Sequence, residues 1–331
     1  MHGTDAGQKR ALSRIGALLQ ALHERHAGDN SGRRADYIPE LTKVPDGFGI
    51  AIQTVDGAIT EVGDAQAPFT MQSISKVYTF AMLLDLVGPE ETYKSVGMQP
   101  SGDPFNAIML DPATNRPLNP MLNAGAIAVA GRLTEMLGRS AFDAVLARLG
   151  DAAGRALAVD EVVFRSEHET GHRNRAIGHF LRAAGIFDVP VDDVLDLYFR
   201  QCSILVTARD LAAMAATLAN VGTNAATGKE VFGLSAVRDS LAVMFTCGMY
   251  NASGDWARRV GLPAKSGVGG GVLAVVNRQL GIGVFSPRLD TAGNSVRGLS
   301  VCMGLGDELG LHAFDSTNQG SSVLNVLSQS R

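Results

Sequence analysis

The sequence predicts an α+β protein: an antiparallel sheet assembled from both ends of the chain and flanked by helices, with an all-helical block inserted between its halves. Two observations carry this. Strand-like runs occur near residues 48–64 and again after Pro263, whereas residues 66–260 show the three-to-four-residue apolar spacing of helices. No internal repeat or low-complexity stretch offers a competing organisation. The sheet-containing lobe is accordingly placed at residues 1–65 and 262–331 and the helical lobe at 66–261, with a ligand site expected in the cleft between them.

The elements follow in chain order. Residues 8–27 read as an amphipathic helix with Leu12, Ile15, Leu18, Leu19 and Leu22 on one stripe. After the linker "GDNSGRRAD", the run "GFGIAIQTVDGAITEVGD" reads as a hairpin turning at Asp56-Gly57. "SISKVYTFAMLLDLVG" is apolar at 74, 77, 80, 81, 84 and 87 and stops at Gly88. "NAGAIAVAGRLTEMLG", "DDVLDLYFRQCSI", "ARDLAAMAATLANVG" and "SAVRDSLAVMFTCG" repeat that style, closing on Gly or small residues. "GVLAVVN" and "LGIGVFSP" read as two late strands turning near Arg278, and "NSVRGLSVCMGLGDELG" returns to helix.

Composition excludes several classes. The net charge of −4, with no basic run beyond pairs such as Arg33-Arg34, gives no nucleic-acid surface. Three cysteines, Cys202, Cys247 and Cys302, with no C-x-x-C, read as reduced buried thiols. The N-terminus has no sustained apolar segment of the export type, and no run is long enough to span a bilayer. The expected location is cytoplasmic.

A Lys rarely lies among apolar residues without a partner or a task. Ser73 and Lys76 lie three apart in the apolar segment "FTMQSISKVYTF". If a helix starts at 71–73, the two share a face, and the hydroxyl lies near unpaired backbone N–H groups. That pairing suits acyl transfer: a neutral amine takes the Ser proton and N–H groups receive the oxyanion. The plainer alternative is a Ser that decorates a helix start beside a Lys reaching solvent. A second motif favours chemistry. In "LPAKSGVGGGV", Lys265-Ser266-Gly267 opens the late strands, and S-x-x-K with a late K-[ST]-G marks β-lactamases and penicillin-binding proteins. Lys265 is expected to depress the Lys76 pKa and attract a carboxylate, and the Val268 N–H to be the second oxyanion donor.

With both motifs placed, the chain resembles the serine-dependent glutaminases, which share the β-lactamase/transpeptidase-like fold. The resemblance runs from about residue 35 to 315, through "ADYIPEL", "QSISK", "NPMLNAGAI", "FRSEHETGHRNRAIG", "DLYFRQCSI", "AATLANVG", "CGMYNASG" and "GLPAKSGVGGG". It implies hydrolysis of L-glutamine to glutamate and ammonia, with no cofactor and no metal, by a homodimer or homotetramer. Position by position, it implies Ser73 as nucleophile, Lys76 as base and Tyr250 as the proton shuttle beside Ser73. Asn123, Glu167, Asn174 and Tyr198 would hold the substrate's amino and carboxylate groups, with Tyr37 lining the pocket and Val268 contributing backbone. Glu167 fits an ammonium, and Asn and Tyr fit a carboxylate without burying more charge. Taken singly, Asn123 could be a helix cap, Tyr198 and Tyr250 core aromatics, and Glu167 a surface charge. The S-D-N element of class A β-lactamases and the ankyrin repeats of some animal relatives are missing from the sequence.

Two rivals are readable. "HETGH" (168–172) matches the H-E-x-x-H zinc helix, but Gly171 lies inside the required helix and Arg175 occupies the position of the extended motif's Gly. A sensor that kept the pocket without chemistry would have no need of the Ser73–Lys76 pair.

Overall fold

The computed structural model describes residues 5–102 and 106–314; residues 1–4 and 315–331 of the expected sheet-containing lobe lie outside them. Helix α1 (Asp5–Ala27) buries Leu19 and Leu22 completely, with Ile15 and Leu18 packed beside them. Strands β1 (Gly49–Thr54) and β2 (Ile59–Gly63) form the expected hairpin, in register from Gly49↔Gly63 to Gln53↔Ile59.

The inserted block opens with β3 (Phe69–Thr70), a 3-10 turn (Gln72–Ile74) and α2 (Ser75–Ser95). At Gly88 the backbone of α2 leaves helical geometry (φ 77°, ψ 168°), where the sequence predicts a stop, and Pro89 begins a further turn. There follow α3 (Asn123–Leu137), α4 (Ala141–Ala153), β4 (Ala158–Val159), α5 (Glu161–Thr170) and α6 (His172–Ala183). Next come α7 (Val191–Cys202), β5 (Ile204–Val206), α8 (Ala208–Ala219), α9 (Leu234–Cys247) and α10 (Ser253–Arg259). The chain returns to the sheet with β6 (Ala264–Gly267), β7 (Gly271–Val276) and β8 (Leu280–Phe285), then forms α11 (Val296–Leu309).

The main sheet has the order β2-β1-β8-β7-β6, and every neighbouring pair is antiparallel. The first strand therefore pairs with the last, from Gly49↔Phe285 to Thr54↔Leu280, so the two ends of the chain zip together across the insertion. Strand alternation sorts the sheet's two faces. Ile50, Ile52, Val272, Ala274, Ile282 and Val284 share a core with residues of α1 and α11; Ala51, Leu273, Val275 and Phe285 join the core of the inserted block. Burying such side chains contributes roughly 1.5–3 kcal/mol each. Among the described residues, no helix is long and apolar enough to cross a membrane.

Two features of the block differ from the all-helical expectation. It carries a small sheet of its own, β3-β5-β4, whose two- and three-residue strands are too short to show a period in sequence. And α8 lies flat on the main sheet: a Cβ at Gly283 would stand 2.0 Å from the Ala208 carbonyl oxygen, and one at Gly281 2.2 Å from the Ala216 nitrogen. Glycine on β8 is what lets the helix backbone approach so closely.

Candidate active site

Ser73 lies in the 3-10 turn, one turn ahead of Lys76 in the first turn of α2. Gln72, immediately before it, has φ +49°, a left-handed conformation that costs a non-Gly residue roughly 1–2 kcal/mol and kinks the chain into the helix. Ser73 lines a cavity of about 200 Å³, small beside the roughly 300–1,000 Å³ typical of drug-sized ligands. Tyr37, Gln72, Asn123, Glu167, Asn174, Tyr198, Cys202 and Val268 share its wall.

Lys76 is buried to 1% exposure. Its Nζ donates to Asn123 Oδ1 at 2.7 Å and to the Met121 carbonyl at 3.2 Å. Burial lowers its pKa to about 8, against the opposing influence of Cys202 and Glu167. A neutral amine has two hydrogens, enough for these two acceptors, and keeps its lone pair free. Asn123 is the first residue of α3 rather than its cap, and its Nδ2 continues the chain by donating to Asn174 Oδ1 at 3.1 Å.

Tyr250 has φ +56° and its hydroxyl donates to the Ser266 carbonyl at 3.1 Å. Burial raises the pKa of this phenol, opposed by the nearby Ser73 hydroxyl. Glu167, on α5, is 4% exposed. Burial pushes its carboxyl up to about 7, opposed by hydrogen bonds from Tyr37 and Gln72 and by the charge of Lys76. The Tyr37 hydroxyl lies 2.9 Å from Gln72 Oε1 and 3.4 Å from Glu167 Oε1, although nearly half of this residue faces solvent. Tyr198 and Cys202 lie one helical turn apart on α7, and burial pushes the Cys202 thiol up to about 12.

The glycine run brings the late strands against the Ser73 turn. A Cβ at Gly267 would stand 2.6 Å from the Met71 carbonyl oxygen, and one at Gly269 2.3 Å from that of Thr70. Glycine at both positions keeps Val268 on the cavity wall.

A Ser hydroxyl on a cavity wall, a depressed amine behind it and a buried acid on the same wall are groups that suit acyl transfer to the hydroxyl from a small amide bearing an ammonium. The glutaminase family model matches residues 32–314. The chain belongs to the glutaminase family. It is 54% identical over 299 residues to glutaminase 2 of Bradyrhizobium diazoefficiens, covering 90% of this chain and 48% of that protein. Against glutaminase 1 of the same organism it covers 50%, so the chain spans about half the length of these two relatives. It is 48% identical over 310 residues to a Nostoc glutaminase, covering 93% of each. The solved structure of the probable glutaminase ybaS superposes with a TM-score of 0.88 at 40% identity, over 91% of this chain and 98% of that one. Mglu in its tris and glutamate form gives 0.87 at 40% identity, over 91% and 68%.

In this chain the expected cavity residues Tyr37, Ser73, Asn123, Glu167, Asn174, Tyr198 and Val268 lie together, with Lys76 and Tyr250 behind them. Lys265 does not join them on the wall. It is fully buried in β6, its Nζ 4.1 Å from the Tyr250 ring centroid and donating to the Ser266 carbonyl at 2.6 Å. Burial is the leading cause that lowers Lys76, while Lys265 is pushed well below its usual range by burial and then by the charge of Lys76, so the two amines oppose each other's protonation. The H-E-x-x-H alternative needs one helix, but α5 ends at Thr170 and α6 starts at His172, with the His168 ring packed among Phe164 and Phe199. Among the described residues, no group of three His, Cys, Asp or Glu gathers as a metal site.

Gln72 and Cys202 escaped sequence reasoning. Gln72 carries no cue in sequence, because a positive φ at an amide is invisible there. Cys202 had one: it lies four residues after Tyr198 in "DLYFRQC", which puts both on one helix face.

Proposed function

We propose that this chain hydrolyses L-glutamine to L-glutamate and ammonia through a Ser73 acyl-enzyme with Lys76 as general base. The observation that supports this best is Lys76: a buried amine, lowered to about 8, satisfied by two acceptors and placed one turn after the cavity's Ser hydroxyl. A solved relative described in a glutamate form carries the product of this reaction.

The substrate ammonium pairs with Glu167; its carboxylate takes donors from Asn123, Asn174 and Tyr198, with Tyr37 closing the pocket. Ser73 Oγ attacks the side-chain amide carbon and its proton passes to Lys76. The N–H groups of Ser73 and Val268 receive the oxyanion. The C–N bond breaks as Tyr250 relays the proton to the departing ammonia. Water then attacks the acyl carbon and Lys76 takes its proton; the acyl C–Oγ bond breaks, Lys76 returns the proton to Ser73 Oγ, and glutamate is released. Lys265 braces the Tyr250 ring and the Ser266 carbonyl from below.

The site is taken to lie in the cleft between the lobes 1–65 with 262–331 and 66–261. The three buried thiols support a reducing, cytoplasmic setting, and the family resemblance a homodimer or homotetramer. The test is ammonia release over a panel of amides including a penicillin, with mass spectrometry of the trapped enzyme. Glutamine turnover with an acyl mass on Ser73 is expected. Turnover with the mass on another residue, or none on glutamine, overturns the reading.

A further inference from the structure

We propose that Ser253 is a positioning residue for Tyr250, its hydroxyl clasping the Met249–Tyr250 backbone and holding it in the left-handed conformation that delivers the phenol to Ser73. This rests on the proposed reaction, in which Tyr250 handles a proton.

Tyr250 is an unlikely residue for φ +56°, since a bulky side chain is disfavoured there. Such conformations persist only where the surroundings over-determine them. Here the determinants are visible. Ser253 Oγ accepts the Met249 N–H at 3.1 Å and donates to the Tyr250 carbonyl at 2.8 Å. The two bonds lie on either side of the strained φ, so one hydroxyl closes a clasp around it. Asn294 Nδ2 adds a contact to the Met249 carbonyl between them, at 3.4 Å.

Ser253 is the first residue of α10, one place after the cap position Ala252, which makes no side-chain bond, and the Ser253 hydroxyl turns back towards Tyr250. All of this is buried, with Met249 at 0% and Ser253 at 7% exposure, so water cannot replace the hydroxyl cheaply. At the far end of the side chain, the Tyr250 hydroxyl meets the Ser266 carbonyl and Ser73, and Lys265 lies against the ring. The tip is thus held by the catalytic elements and the root by Ser253. Without the clasp the backbone relaxes towards negative φ, which swings the Cα–Cβ bond and lifts the phenol from Ser73.

The test is steady-state ammonia release by S253A, S253T, Y250F and the Y250F/S253A double variant. Y250F should lose kcat by roughly a hundredfold or more, the usual weight of a positioned proton donor. S253A should lose roughly tenfold in kcat, because a small misplacement of a reacting group is costly. Its KM for glutamine should stay within about twofold, since KM reports the pocket wall. S253T, which keeps the hydroxyl, should recover most of the loss. In the Y250F background S253A should cost little more, because the hydroxyl it positions is already gone. Should S253A not fold, S253C, close in size and a weak donor, takes its place in the cycle. A wild-type kcat in S253A, or a fully additive loss in the double variant, overturns the role of Ser253. A wild-type kcat in Y250F overturns the underlying reading of Tyr250 instead.

Discussion

Glu167→Gln should make the protein more stable at neutral pH while impairing it as an enzyme. Burial raises the Glu167 carboxyl from its ordinary 4.5 to about 7. The folded state therefore binds this proton more tightly than the unfolded chain, so stability is intact below 4.5 and falls as pH rises towards 7. At about 1.36 kcal/mol per unit, the fall is on the order of 3 kcal/mol by pH 8. Gln has nearly the same shape, can still accept from Tyr37, and has no charge to desolvate. Urea melts of both proteins at pH 4.5 and 8 isolate the effect, because any cost of the amide itself is common to both pH values. The stability of E167Q relative to wild type should rise by on the order of 3 kcal/mol between the two pH values. A relative stability unchanged within about 0.5 kcal/mol, the usual scatter of independent effects, would refute the buried-carboxylate account. The KM for glutamine should rise at the same time, since the ammonium loses its counter-charge.

Ser73→Ala and Lys76→Ala should each lower kcat by roughly a thousandfold or more with the circular dichroism spectrum retained; ammonia release near the wild-type rate from either would contradict the mechanism. Gly269→Ala drives a Cβ to 2.3 Å from the Thr70 carbonyl, so it should push Val268 from the cavity and cut kcat more than it lowers Tm; kinetics and thermal melts side by side check this. Cys202, buried and pushed up to about 12, should resist alkylation at pH 8 until urea is added, as peptide mapping would show. Activity should rise with pH. On the proposed mechanism Lys76 works as the neutral amine and Glu167 as the anion, so log(kcat/KM) should climb through about 7 and 8; a profile flat across that range would count against both roles.

How much of this was legible in the sequence depended on the length of the signal. The hairpin at Asp56-Gly57 and the strands meeting near Arg278 announce themselves, because six-residue strands show alternation and turns need particular residues. The strands β3, β4 and β5 are held by pairing with each other and have no period to show. Ser73 and Lys76 were legible because helical spacing converts a three-residue interval into proximity. Lys265 was legible as a motif but not as a place: strand alternation puts it opposite Leu273, on the face of the sheet that turns inward, and only the fold reveals that Tyr250 covers it. Tyr250 was reached only through the family motif; its positive φ, like that of Gln72, and the contacts of Ser253 arise between residues brought together by folding, which no local pattern encodes.

The two ionisable groups at this site are displaced in opposite directions by one cause, and that has a consequence for the reaction. Burial raises Glu167 and lowers Lys76, while each charge partly supports the other: Glu167 favours the protonated amine and Lys76 favours the carboxylate. In the empty cavity, then, the carboxylate helps keep a proton on the amine that must lose it to act as a base. A ligand ammonium placed beside Glu167 would take over the counter-charge, and that share of the support for the Lys76 proton would fall away. On the proposed mechanism, the group that pairs with the substrate ammonium would thereby also free the base, without any movement of the chain. A neutral amide lacking the ammonium would leave Glu167 as it was and gain nothing at Lys76. Selection for an amino acid over a simple amide would on this account reside in the rate of acylation as well as in binding, because interactions that strengthen on the way to the transition state are the ones that raise kcat.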